Sequence, residues 1–66
     1  MLNEREMSIL RLLERGLTNA QIGSALNISK HTVAQHVAAM LDRTGSRTRA
    51  HLVAQAYEFG LLYPDS

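Results

Sequence analysis

Residues 18–45 read TNAQIGSALNISKHTVAQHVAAMLDRTG, and the fold of the chain is decided there. Thr18 and Gln21 form a Thr-x-x-Gln pair, in which hydroxyl and amide each satisfy a free backbone N–H at a helix start. Ile22 and Leu26 share one face of the short helix that follows. Asn27-Ile28 interrupts it, and asparagine tolerates the positive φ that a tight turn often requires. Ser29 then caps a longer helix that runs to about Arg43 and is stopped by Gly45. Gly23 stands inside the shorter helix at a cost of ~1 kcal/mol relative to alanine. A residue that small is expected where another helix crosses closely, with neutral drift at a solvent position as the alternative.

The flanks extend the same pattern. Asn3 and Glu6 make a capping-box-like pair upstream. Met7, Ile9, Leu10, Leu13 and Leu17 recur at helical spacing before Gly16 provides a stop. Downstream, a fourth helix is expected to start near Arg47 or Thr48 and to reach Phe59, with Ala50, Val53, Ala56 and Tyr57 as its repeating stripe and Gly60 as its end. The tail from Leu61, which holds Pro64, is expected to fray. No segment alternates like a strand, so an all-α bundle of four helices follows.

The longer helix has two unlike faces. At about 100° per residue, Val33, Val37, Met40 and Leu41 fall on one side, extended by Thr44, and form a core stripe. The opposite stripe is His31, Ala34, Gln35, Ala38 and Asp42, all polar or small. By itself it reads as an ordinary solvated face. A capped helix, a two-residue turn and a second capped helix, however, follow the helix-turn-helix plan, in which the second helix enters the major groove. Gln35 has the donor–acceptor pair that suits adenine, His31 can donate to guanine or to a phosphate, and Ala34 and Ala38 can touch a thymine methyl. Thr18 and Ser29 mark helix N-termini, where free N–H groups attract phosphate. Thr18, Asn19, Lys30 and Thr32 are thereby expected to grip the DNA backbone, with Arg43, Arg47 and Arg49 extending a basic surface.

Composition bounds the rest. Sixty-six residues make one domain, read as 1–66 with an ordered core of about 2–62. The net charge of +1 says little, but Lys30, Arg43, Arg47 and Arg49 face only Asp42 between residues 30 and 51. That surplus suits a polyanion and equally suits a solvated face. Arg5, Arg11 and Arg15 read as solvated charges, Arg11 and Arg15 sharing a face with Glu4 and Glu14; a surface for a partner such as RNA polymerase is the alternative reading there. There is no cysteine, and His31 and His36 point to different sides of one helix while His51 sits on another, so no metal or other cofactor is expected. No phosphate loop or nucleophile motif appears, and a chain this short has no room for a deep cleft, so neither an enzyme nor a small-molecule site is expected. No run approaches the ~20 apolar residues that span a bilayer. Glu4, Arg5 and Glu6 do not suit a secretory signal. The expectation is a cytoplasmic protein without a membrane partner.

Leu2-Asn3-Glu4-Arg5-Glu6, Gly16-Leu17-Thr18-Asn19, Gln21-Ile22-Gly23, Ala25-Leu26, Ile28-Ser29, Thr32-Val33, His36-Val37 and Arg49-Ala50 stand in the order and spacing of a known family. From Leu2 to Leu62 the chain resembles the LuxR-type (GerE/NarL-like) helix-turn-helix domain. The resemblance implies a four-helix fold, recognition of double-stranded DNA centred on His31, Ala34, Gln35 and Ala38, and backbone contacts from Thr18, Lys30 and Thr32, with Arg43 and Arg47 as further candidates. It also implies a structural ion pair between Glu6 and Arg49, and pairing of two copies through the fourth helix. Leu52, Gln55, Tyr57 and Phe59 are the candidate dimer residues there, though some must serve the core. Three features depart from the family's pattern. Ala34 replaces a usual Lys. Thr44 and Ser46 replace Leu and Val, which weakens the expected packing between the third and fourth helices. No receiver or ligand-binding domain precedes Leu2, which leaves a stand-alone regulator or an excised domain.

The functional expectation is a sequence-specific transcription regulator that acts as a dimer. The rival is a protein-interaction module of the same fold that pairs with another regulator and modulates it without reading DNA. A dimer that orders fully only on DNA is a third reading.

Overall fold

The computed structural model describes residues 2–63, so Met1 and the expected fraying of Pro64 lie outside the described residues. Four helices follow in order: α1 (Glu4–Glu14), α2 (Asn19–Leu26), α3 (Lys30–Thr44) and α4 (Arg49–Glu58), with no strand among the described residues. Each start carries a side-chain cap, at the three expected positions and also at Thr48. Asn3 accepts from the Glu6 N–H at 2.8 Å, and the Glu6 carboxylate accepts from the Asn3 N–H at 3.1 Å. Thr18 and Gln21 exchange the same two bonds at 3.2 and 2.9 Å. Ser29 and Thr48 accept from the N–H groups of Thr32 and His51, each at 3.0 Å.

Between α2 and α3 the chain reverses at Asn27, whose φ of 59° and ψ of 43° lie in the left-handed region. The N–H groups of Asn27 and Ile28 both donate to the Gly23 carbonyl, which closes the end of α2. Gly23 is small for a different reason than a crossing helix. A Cβ there would lie 2.5 Å from the Ile28 carbonyl oxygen and 3.2 Å from the Lys30 nitrogen, so its close neighbours are the turn and the first residue of α3. Gly16, Gly45 and Gly60 take the positive φ values of 85°, 67° and 75° that their role as helix stops requires.

Ile9, Leu10 and Leu13 of α1, Ile22 of α2, Val33, Val37 and Met40 of α3, and Leu52 and Ala56 of α4 form the core with Leu62. α3 packs against all three other helices. Its stripe is as expected, with Leu41 and Thr44 half-buried at the edge. The phase of α4 is not. Leu52 and Ala56 are buried, Val53 is half-buried, and Ala50 and Tyr57 are exposed. Apolar residues occupy most of the circumference of this helix, and docking against α1 and α3 selects among them. Leu61 and Leu62 do not fray: their N–H groups donate to the Ala56 carbonyl at 2.8 and 3.2 Å, and Leu62 is buried. Thr44 and Ser46 make the junction between α3 and α4 polar at this point. The Thr44 hydroxyl donates to the Met40 carbonyl at 2.7 Å and lies 2.6 Å from the Ser46 hydroxyl.

Candidate nucleic-acid interface

The burial of Val33, Val37 and Met40 fixes which side of α3 faces out. His31, Ala34, Gln35, Ala38 and Asp42 are all exposed on that side. The side chains of His31 and Gln35 make no hydrogen bond within the described chain. They leave ring nitrogens, an amide N–H₂ and an amide oxygen free toward solvent, which is the equipment for reading base edges. Ala34 and Ala38 keep the surface between them low.

At the start of α3 the Ser29 and Thr32 hydroxyls lie 3.0 Å apart while Ser29 also accepts from the Thr32 N–H. One hydroxyl donates to the other, so one hydroxyl hydrogen stays free for an anion beside the exposed Lys30. At the start of α2, Thr18 uses its oxygen as an acceptor for the Gln21 N–H, which leaves its own O–H as a donor. Asn19 follows it with its side-chain oxygen buried and without a hydrogen-bond partner. Arg47 is exposed before α4; its backbone N–H donates to the His51 ring at 3.1 Å, and the other His51 nitrogen lies 2.9 Å from the Gln55 amide.

Three arginines serve the fold, and none of these contacts is visible in local sequence pattern. Arg5 donates to the Leu26 carbonyl at the end of α2, at 3.4 Å. Arg49 donates to the Leu17 carbonyl before α2, also at 3.4 Å. Arg43 forms an ion pair with Glu6, which is buried. The expected pair of Glu6 with Arg49 is therefore corrected: the last turn of α3 brings Arg43 to the carboxylate, and Arg49 donates instead to the Leu17 carbonyl. Arg5 is likewise more than a solvated charge.

The four residues expected to pair two copies do not form one surface. Leu52 is 1% exposed and belongs to the core, which removes it from that set. Gln55 is half-buried, Tyr57 is at the margin of exposure and Phe59 is 61% exposed. Leu52 and Tyr57 are five residues apart, about 140° around the helix, so one cannot face a partner with the other. Among the described residues, no group of three or more His, Asp or Glu side chains gathers closely enough to hold a metal ion, and no helix is long and apolar enough to cross a membrane.

Comparison with known proteins gives a consistent picture. The GerE profile, described as bacterial regulatory proteins, luxR family, matches residues 1–56. The response regulator protein VraR of Staphylococcus aureus (strain Mu3 / ATCC 700698) is 39% identical over 62 residues, which cover 94% of this chain and 30% of that protein. The VraR proteins of Staphylococcus saprophyticus subsp. saprophyticus and Staphylococcus epidermidis match with the same identity and coverage. The chain thus spans about 30% of the length of the curated relatives it matches.

Proposed function

Because the chain belongs to the luxR family of bacterial regulatory proteins, we propose that it reads operator DNA with α3 lying in the major groove. The family is one of DNA-binding transcription regulators. The observation that carries the finer reading is the outward face of α3: His31, Ala34, Gln35 and Ala38 are exposed and supported from behind by Val33, Val37 and Met40. Gln35 is assigned to an adenine edge and His31 to a guanine edge or adjacent phosphate, with Ala34 and Ala38 against thymine methyls. Thr18, Asn19, Ser29, Lys30, Thr32 and Arg47 hold the phosphates, through hydroxyls, charge and the N–H groups of two helix starts. Residues 1–66 act as one domain, and the place of work is the cytoplasm. Two copies bind half-sites about one helical turn apart, joined through Gln55 and Tyr57 of α4 and Phe59 just beyond its end, of which Phe59 is the most exposed.

The test is a selection of binding sites from a random duplex pool, followed by titration with the Gln35→Ala variant. The variant is expected to lose ~1–3 kcal/mol at one base pair and little elsewhere. An equal loss on every sequence would refute base reading by Gln35. The rival, a module that binds another regulator instead of DNA, draws support from Ala34 and from the internal use of Arg43 and Arg49. It predicts that the pool yields no enriched sequence.

A further inference from the structure

We propose that Arg43 positions the recognition helix through Glu6 and makes no phosphate contact, although it is one of the four cations between residues 30 and 51. The inference rests on the reading that α3 enters the major groove. Glu6 is 3% exposed. One of its carboxylate oxygens accepts the Asn3 N–H at 3.1 Å, and the other is paired with Arg43. Asn3 in turn accepts from the Glu6 N–H at 2.8 Å, so the carboxylate is locked into the first turn of α1. A guanidinium that left for a phosphate would strand a buried carboxylate without its counter-charge, and breaking a buried pair in that way is strongly unfavourable. The Nη2 of the arginine is therefore committed inward, although the side chain as a whole is 45% exposed.

The commitment has a geometric effect. α3 is held near its start by the backbone approach of Gly23 to Ile28 and Lys30. It is held at its last turn by Arg43. Eight residues separate Gln35 from Arg43, about 12 Å along a helix at 1.5 Å per residue. The two attachments bracket the base-facing side chains and set the angle at which they meet a groove. Losing the pair would loosen the last turn of α3 beyond the buried Met40 and shift the angle of the base-facing side chains, while leaving the phosphate-facing charges Lys30 and Arg47 in place.

Salt titration on an operator duplex and on an unrelated duplex separates the roles, with the protein held well below its melting temperature. Lys30→Ala and Arg47→Ala should each flatten the slope of log K against log salt by about 0.9 per bound copy, or about 1.8 for a bound pair, because each removes one released counterion from each copy. Arg43→Ala should leave that slope unchanged and lower the operator-to-unrelated affinity ratio about tenfold, as one misread base pair does. Arg43→Lys, which keeps a cation for Glu6, should restore the ratio. Glu6→Gln should reproduce the loss of ratio with the slope intact. Should Arg43→Ala fail to fold, Arg43→Gln keeps a donor for the carboxylate without the charge and must also preserve the slope. A slope flattened by about 0.9 per bound copy in Arg43→Ala or Arg43→Gln makes Arg43 a phosphate contact and overturns the proposal. An unchanged ratio with only a lower melting point makes it a structural residue, and overturns it as well. If Lys30→Ala and Arg47→Ala also leave the slope unchanged, the groove reading itself fails.

Discussion

Gly23 decides whether the turn between α2 and α3 can close. A methyl group at that position would meet the Ile28 carbonyl oxygen at 2.5 Å and the carbonyl carbon of Ser29 at 3.2 Å. Both belong to backbone, which cannot swing aside as a side-chain tip can. Gly23→Ala would gain about 1 kcal/mol of helix propensity. Overpacking costs about 1–3 kcal/mol and outweighs that gain. The expected result is a lower urea midpoint, and a higher one would show that the turn has slack. The need for a small residue here was legible in the sequence, since glycine inside a helix is costly. Its cause was not, because the close neighbours sit there only after Asn27 has turned the chain back. The same limit applies to Glu6. Its burial and its partner depend on where α3 ends in space, so a contact across 37 positions left no trace in local spacing.

Caps and stops made the helices readable one by one. Asn3, Thr18, Ser29 and Thr48 act within three residues of themselves, and so do the signals that reveal them. The rotational setting of α4 is a different matter. Leu52, Val53, Ala56 and Tyr57 offer overlapping apolar faces, and only docking on α1 and α3 chooses Leu52 and Ala56. That choice is testable at the level of the helix. Leu52→Ala should cost about 2–5 kcal/mol, because a fully buried leucine leaves a cavity behind. The loss should be the same at low and high protein concentration in urea unfolding. A cost that appears only at high concentration would return Leu52 to an interface between copies.

At the scale of the whole molecule, charge explains less than its sum suggests. The region from residue 30 to 51 carries four cations, yet Arg43 and Arg49 are turned to Glu6 and to the Leu17 carbonyl. Lys30 and Arg47 are left to meet an anion there. Each protomer should then release counterions from about two phosphates, for a slope of log K against log salt of about −2, or about −4 for a bound pair. A slope near twice that value would mean that the inward arginines reach DNA after all. The sequence could count these charges but not say that Arg43 is paired with Glu6 or that Arg49 is held at the Leu17 carbonyl. The outward face of α3 stands at the opposite extreme, because His31, Ala34, Gln35 and Ala38 hold no other part of the molecule in place. Exposed substitutions of that kind usually change stability by less than about 0.5 kcal/mol. A lineage carrying this domain is therefore free to exchange those four residues one at a time, and so to change its targets without first acquiring a compensating mutation in the scaffold.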